Sequence, residues 1–468
     1  MTTRPKIKVA SIINGKYLAF RKLGEGGCGV IYEVALVKCP QKRFACKAET
    51  TVPDEDPTLP MEHKVISLMN ERNSQHAVEL LEKGKGENYQ FLVMTLLGPS
   101  LDAIRAALPL KRFSTFSTLV MVVQALDSLK EVHDIGYIHR DVKPANFAIG
   151  ALGTPKQRLL HVLDFGIARQ YVSKDKNGRA KMRRPRRIVP FRGTLRYCSV
   201  ATQERKEQGR QDDLWSLFYM LVEFLKGSLP WEGLTDEEEL RKLKSDMQEL
   251  TNGLDDEFVL FSRHLEILVY SSTPDYEILR KLLLNVFVRR KFKADMKVDW
   301  EHGGRYDRCF EKKTSLLPKV TENDMGVVDL EKMLLVPEKV TKITLEDVLS
   351  RDKMEVSPVN SCNDDTLDDN ESAPAGTHKS SRSKNMTSLR STKKYKGYKG
   401  AATPRLPVCV MTTQKVAQEE SRWKKKQEAE LRERLTKKAA AARRARRDVV
   451  VPEDMATELT KLKKKQVK

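Results

Sequence analysis

The chain has 468 residues, 40% hydrophobic and 32% charged: enough apolar material for a sizeable core, and too much charge for a protein immersed in lipid. No apolar run approaches the roughly 18 residues of a membrane span, and residues 1–8 lack the apolar core of a secretory signal. Seven scattered cysteines without a Cys-x-x-Cys pair argue against a disulfide frame or zinc site and for a reducing compartment, cytoplasmic or nuclear. Charge is uneven, with net +10 over residues 1–310, −7 over 311–371 and +18 over 372–468. A basic body, an acidic joint and a very basic end imply acidic partners without naming them.

After an N-terminal extension (1–16), the β-rich runs 17–24, 29–37, 43–50 and 89–97 predict strands. Between them Met61, Val65, Leu68 and Met69 fall on one face of an amphipathic helix. From residue 115 onward helices dominate. Leu119, Val122, Val123, Leu126 and Leu129 form an apolar stripe, and 214–225 is apolar on nearly all sides, the mark of a helix inside a lobe. The expected fold class is α+β: a small β-rich lobe and a larger helical one over residues 17–310, with a ligand cleft between them. Residues 311–353 keep enough apolar periodicity to pack back on that body. Residues 354–413 have the composition of a disordered linker. The basic segment 414–468, rich in Ala, Glu, Lys and Arg, suits a solvated helical tail with too few apolar positions for a coiled coil.

Three constellations carry chemistry. Leu23-Gly24-Glu25-Gly26-Gly27-Cys28-Gly29-Val30-Ile31 is a G-x-G-x-x-G pattern set between two strands, which suits a lid over phosphates better than the strand-to-helix turn of a dinucleotide fold. Phe44-Ala45-Cys46-Lys47 then puts an ammonium in the next strand, with Glu62 on the following helix as its natural partner. Met94 lines the back of the expected pocket, and the backbone around Leu96 is placed to read a purine edge. His139-Arg140-Asp141-Val142-Lys143-Pro144-Ala145-Asn146, with Asp164-Phe165-Gly166, supplies what phosphoryl transfer from ATP needs. Asp141 orients a hydroxyl, Lys143 neutralises the moving phosphoryl, and Asn146 and Asp164 offer oxygens to Mg2+. His139 and Arg140 are expected to brace the loop. Thr194 is expected to bond Asp141 and Lys143, and Asp213 to accept backbone N–H groups beneath the loop. Lys143-Pro144 favours serine or threonine over tyrosine as acceptor.

Together these residues resemble a eukaryotic protein kinase over about residues 15–310, and more finely the casein kinase 1 group. Ser199-Val200-Ala201 stands where most kinases have Ala-Pro-Glu, and Leu97-Gly98-Pro99-Ser100-Leu101 follows the lobe junction. Within that group the runs 191–197 and 212–224, Thr273-Pro274-Asp275-Tyr276 and Asp299-Trp300-Glu301 are most similar to tau-tubulin kinases. The resemblance implies a constitutively competent, monomeric Ser/Thr kinase using ATP and Mg2+ on protein substrates that are acidic or already phosphorylated. Arg183, Arg184, Arg186, Arg187 and Arg192 agree with an anion site beside the substrate. Cys28 at the lid tip and a long basic activation loop depart from the pattern without removing a catalytic group. A pseudokinase scaffold would lack Lys47, Asp141, Asn146 or Asp164, and none is missing. A third reading makes the tail a binder of microtubule, nucleic acid or anionic lipid surfaces, although its few aromatics give little support to base stacking.

Overall fold

The computed structural model describes residues 5, 7–26, 29–51, 57–152, 154–174, 177, 179–293, 295–305 and 333–350. The lid tip (Gly27, Cys28), most of the acidic joint, the linker 354–413 and the tail 414–468 lie outside them.

The first lobe is a six-stranded antiparallel sheet in the order β1 (Ile12–Ile13), β2 (Tyr17–Gly26), β3 (Gly29–Leu36), β4 (Cys39–Thr50), β6 (Tyr89–Thr95), β5 (Leu80–Lys85). Side chains alternate between the two faces of a strand, so register assigns each residue its role. Val30 lies opposite Ala48 and Tyr32 opposite Cys46, and these join Ala19, Val34 and Val93 in a buried cluster on the outer face. Ile31 lies opposite Lys47, and Lys47 opposite Leu92, which puts all three on the inner face toward the cleft. Strand β5 was not expected from the sequence. Its run Leu-Leu-Glu-Lys-Gly-Lys is charged because an edge strand pairs on one side only and must discourage further pairing on the other.

Helix α1 (Leu59–Glu71) packs on the inner face. Its buried stripe is Leu59, Glu62, Val65, Ile66 and Met69, while Met61 and Leu68 are only half-buried. The apolar pattern thus gave the helix but set its face about a quarter-turn off, because the buried side includes the charged Glu62.

The second lobe is built round α3 (Thr115–Asp134) and α5 (Arg210–Lys226), both buried over most of their circumference. The short α2 (Leu101–Ala107) precedes them. Helix α3 packs against α5 and α9 (Tyr276–Arg289), and α5 against α8 (Asp256–Glu266). Small hairpins support the loops of the cleft: β8 (Phe147–Ile149) with β9 (Leu160–Val162), and β7 (Tyr137–Ile138) with β10 (Arg169–Gln170). Asp299-Trp300-Glu301 fastens the end of this lobe to its start. Asp299 accepts the Ser114 N–H at 2.7 Å, and Glu301 takes the Arg158 guanidinium at 2.5 Å. The described part of the extension runs over the same helices. Arg280 donates to the Leu334 carbonyl at 2.8 Å and Asn285 to that of Thr341 at 2.7 Å, and His264 Nδ1 lies 2.9 Å from the Val348 carbonyl. Among the described residues no helix is long and apolar enough to cross a membrane.

Candidate active site

The lid is the β2–β3 hairpin. Gly26 pairs with Gly29 at its described end, and a Cβ on Gly24 or Gly26 would meet nothing within 4 Å, so the space above is open. Gly29 is required for a different reason: its φ is +123° and a Cβ would lie 2.3 Å from the Ala48 carbonyl oxygen. At the root, Leu23 and Ile31 are apolar yet exposed, as expected of side chains that grip a flat ring. Val30, grouped with the lid by its place in the motif, instead turns into the outer core. Met94 is buried at the back of the inner face, and Leu96 is half-buried at the lobe junction.

Lys47, on the inner face of β4, pairs with Glu62 of α1 and donates to Asp164 Oδ1 at 2.9 Å. Burial works against its charge, but the two carboxylates outweigh that and hold its pKa above the ordinary value. Burial likewise favours a neutral Asp164, and the Lys47 ammonium reverses this and keeps the carboxyl below its usual range. A carboxylate of β4 itself holds the N-terminal end of α1. Glu49 accepts the backbone N–H groups of Thr58 (3.0 Å) and Leu59 (2.9 Å), the Thr58 hydroxyl (2.9 Å) and the Gln90 amide (3.2 Å). The first N–H groups of a helix have no partner within it, and an anion there is favoured. Sequence reasoning missed Glu49, although its spacing of two from Lys47 puts both on one strand face.

Across the cleft, Asp141 is the hub of the loop 139–146. It accepts the Thr194 hydroxyl at 2.7 Å through Oδ1 and the Lys143 ammonium at 2.6 Å through Oδ2. Lys143 also donates to Thr194 Oγ1 at 3.1 Å, and Asn146 donates to the Asp141 carbonyl at 2.8 Å. Arg140 and Asp164 have φ of 69° and 65°, a region that non-glycine residues avoid. Such strain persists only where surrounding contacts enforce it. Here Asp213, at the start of α5, accepts the N–H of His139 (2.7 Å) and of Arg140 (2.9 Å). His139 Nε2 lies 3.0 Å from the Leu163 carbonyl, and its ring packs on the fully buried Phe165, next to Asp164. Arg140 Nε donates to the Ile167 carbonyl at 2.6 Å, tying the loop to the segment that follows.

Thr194 reaches Asp141 because Gly193 lets the chain pass close: its φ is +110° and a Cβ there would stand 2.5 Å from the Arg140 carbonyl oxygen. The basic segment before it differs from the sequence expectation. Arg186 is not available to a ligand, since it donates to Glu207 through Nε (2.6 Å) and Nη2 (3.1 Å), and Arg169 reaches the same carboxylate at 3.4 Å. Arg187 and Arg192 are exposed. The carboxylate that takes up Arg186 was invisible in the sequence because it lies 21 residues away.

Asp164, held anionic, and Asn146, whose amide N–H is spent on Asp141, present hard oxygen donors of the kind that suit magnesium. Among the described residues no three His, Cys, Asp or Glu side chains form a metal cage. The donor set therefore fits an ion that completes its shell with phosphate oxygens and water.

Comparison with known proteins agrees with this geometry. The protein kinase domain model matches residues 17–290. A relative from Caenorhabditis elegans, provisionally named a serine/threonine-protein kinase, is 38% identical over 63% of this chain and 84% of its own. One from Dictyostelium discoideum, with a similarly provisional name, is 35% identical over 62% of this chain and 57% of its own. A casein kinase I homolog from Kluyveromyces lactis is 33% identical over 66% of this chain and 58% of its own. With Lys47, Asp141, Asn146 and Asp164 all in one cleft, and the family model covering more than half its length, the chain belongs to the protein kinase domain family.

Proposed function

We propose that this protein is a serine/threonine kinase of the casein kinase 1 group, transferring the γ-phosphoryl of ATP to hydroxyls of protein substrates. The observation that carries the reading is the Asp141–Thr194–Lys143 triangle facing the Lys47–Asp164 pair. Asp141 has its carboxylate oriented by two donors, so an entering hydroxyl meets a fixed acceptor for its proton. Lys143 stands beside that acceptor, where a cation offsets charge on the group in transit. Lys47 and the lid hold the donor's phosphates, and Leu23, Ile31, Met94 and the Leu96 backbone hold its base. Asn146 and Asp164 would hold magnesium, which when bound neutralises phosphate charge and orients the leaving group. Thr194 and Lys143-Pro144 support a serine or threonine acceptor. The test is a set of peptides differing only in Ser, Thr or Tyr at one position, incubated with labelled ATP. Labelling of the Ser and Thr forms is expected, and labelling confined to Tyr would refute the assignment.

Substrate preference follows the exposed cations. The exposed Arg187 and Arg192 favour acidic or phosphorylated peptides, since guanidinium groups bind such anions bidentately. Replacing Arg187 and Arg192 with Ala should lower kcat/KM on acidic peptides about tenfold and leave neutral peptides within twofold. Arg186→Ala should weaken activity on both, because it frees the buried Glu207 instead of removing a substrate contact. The group assignment is supported by the sequence pattern and by the 33% identity to the casein kinase I homolog, and the runs 191–197 and 212–224 are similar in pattern to tau-tubulin kinases. The basic tail, net +18 over residues 372–468, supplies non-specific attraction to acidic surfaces. Its binding should weaken steeply with salt.

A further inference from the structure

Behind the substrate platform, α6 (Glu237–Ser245), which packs on the short α4 (Val200–Gln203), sends two side chains inward, the apolar Leu240 and the charged Lys244. Lys244 is 1% exposed, and its Nζ faces no carboxylate among the described residues. It donates instead to the carbonyl oxygens of Leu195 (2.7 Å) and Cys198 (2.6 Å), lies 3.5 Å from the Cys198 sulfur, and sits 5.6 Å from the ring centres of both Tyr219 and Trp231. A buried ammonium is costly unless its N–H groups are all occupied, and burial draws its pKa below the usual lysine value. The carbonyl between these two is held as well: Trp231 Nε1 donates to Arg196 O at 2.8 Å. Three carbonyls of one four-residue segment thus take donors from outside it. That segment follows Thr194, whose own carbonyl accepts the N–H of Tyr197 (2.9 Å) and Cys198 (3.0 Å).

We propose that Lys244 is a positioning residue for phosphoryl transfer: its buried ammonium fixes the backbone of Leu195–Cys198 and thereby keeps the Thr194 hydroxyl on Asp141. This deepens the kinase reading above and rests on it. The device needs no modification of the segment, because the cation is supplied by the fold itself. It also accounts for a lysine where an apolar side chain would pack more cheaply: the inward carbonyls of Leu195 and Cys198 would otherwise lose their ammonium donor.

The test compares full-length wild type with Lys244→Met and Trp231→Phe. Each is read by peptide and ATP kinetics, by hydrogen exchange of residues 195–198 and by thermal melting. Lys244→Met is expected to lower kcat/KM for peptide at least tenfold, leave KM for ATP within twofold, and speed exchange at 195–198 while exchange in α3 stays unchanged. Trp231→Phe, which loses a single donor, should shift the same quantities about threefold. Unchanged peptide kinetics in Lys244→Met, or a loss no larger than the fall in folded fraction, overturns the proposal. If Lys244→Met does not fold, Trp231→Phe decides: faster exchange with a peptide-selective loss supports the proposal, and wild-type behaviour overturns it. Wild type that fails to phosphorylate any peptide would strike the kinase reading instead, a separate result.

Discussion

The two sides of the cleft are held by opposite means. On the phosphate side charge meets charge: Lys47 stands between Glu62 and Asp164, contributed by a strand, a helix and a loop far apart in sequence. On the substrate side the buried cation Lys244 meets carbonyl oxygens, and the hub Asp141 is held mainly by neighbours on its own loop and by Thr194. The ion pair joins the two lobes, so a charged ligand can compete for it and the cleft can respond to occupancy. The carbonyl clamp lies within one lobe and offers nothing for a ligand to displace. On the proposed reading, the Lys47 side is the adjustable half and the Thr194 side is preset.

The largest expected effect breaks the adjustable half. Lys47→Met removes the bridge and leaves two carboxylates facing each other; kcat/KM for ATP should fall about a thousandfold, ~4 kcal/mol, with peptide KM within threefold. Steady-state kinetics varying each substrate would show this, and equal losses for both substrates would contradict the division into halves.

Next comes the layer beneath the catalytic loop. His161, in β9, is buried with Nδ1 unpartnered among the described residues, and burial pulls its pKa down to about 4. The unfolded chain takes up that proton near pH 6.5 and the folded one does not until about 4. Stability must then fall as pH drops through this window, by about 3 kcal/mol for this group. His161→Phe keeps a ring and removes the titration. Denaturant melts of both proteins should match in slope above pH 7 and diverge below it, with the variant losing less. Parallel profiles would mean the imidazole is solvated in the folded state.

The smallest effect sharpens the comparison from the helix end. Glu49→Gln weakens the anchor at the start of α1 by about 1 kcal/mol and should lower kcat about threefold. Glu49→Ala should do more, and the partial rescue by Gln would separate lost hydrogen bonds from lost charge.

Much of this was legible beforehand, for identifiable reasons. Lys47, Asp141, Lys143, Asn146 and Asp164 lie in short motifs whose spacing is their signal, and the structure brings them into one cleft. Strands β2, β3, β4 and β6 announced themselves through β-branched and aromatic residues. What escaped was distant pairing that no motif carries, whereas the equally distant Thr194–Asp141 bond and Asp213 beneath the loop were expected. Glu207 on Arg186 and Lys244 on the Leu195 and Cys198 carbonyls join residues 21 to 49 positions apart. Edge strand β5 carries charge for reasons of solubility, and α1 turned a carboxylate inward where apolar periodicity alone would place Met61 or Leu68. Val30 was misplaced because a motif records order, whereas only register fixes which face a side chain takes.

The central claim is that Asp141 receives the acceptor hydroxyl opposite a nucleotide held by Lys47. Its most direct test measures nucleotide binding and phosphoryl transfer side by side in wild type and Asp141→Asn, with Mg-ATP and one serine peptide. Nucleotide affinity should stay within threefold while kcat falls at least a thousandfold, about 4 kcal/mol. A variant that transfers phosphoryl at the wild-type rate, or a wild type that binds no Mg-ATP, would contradict it.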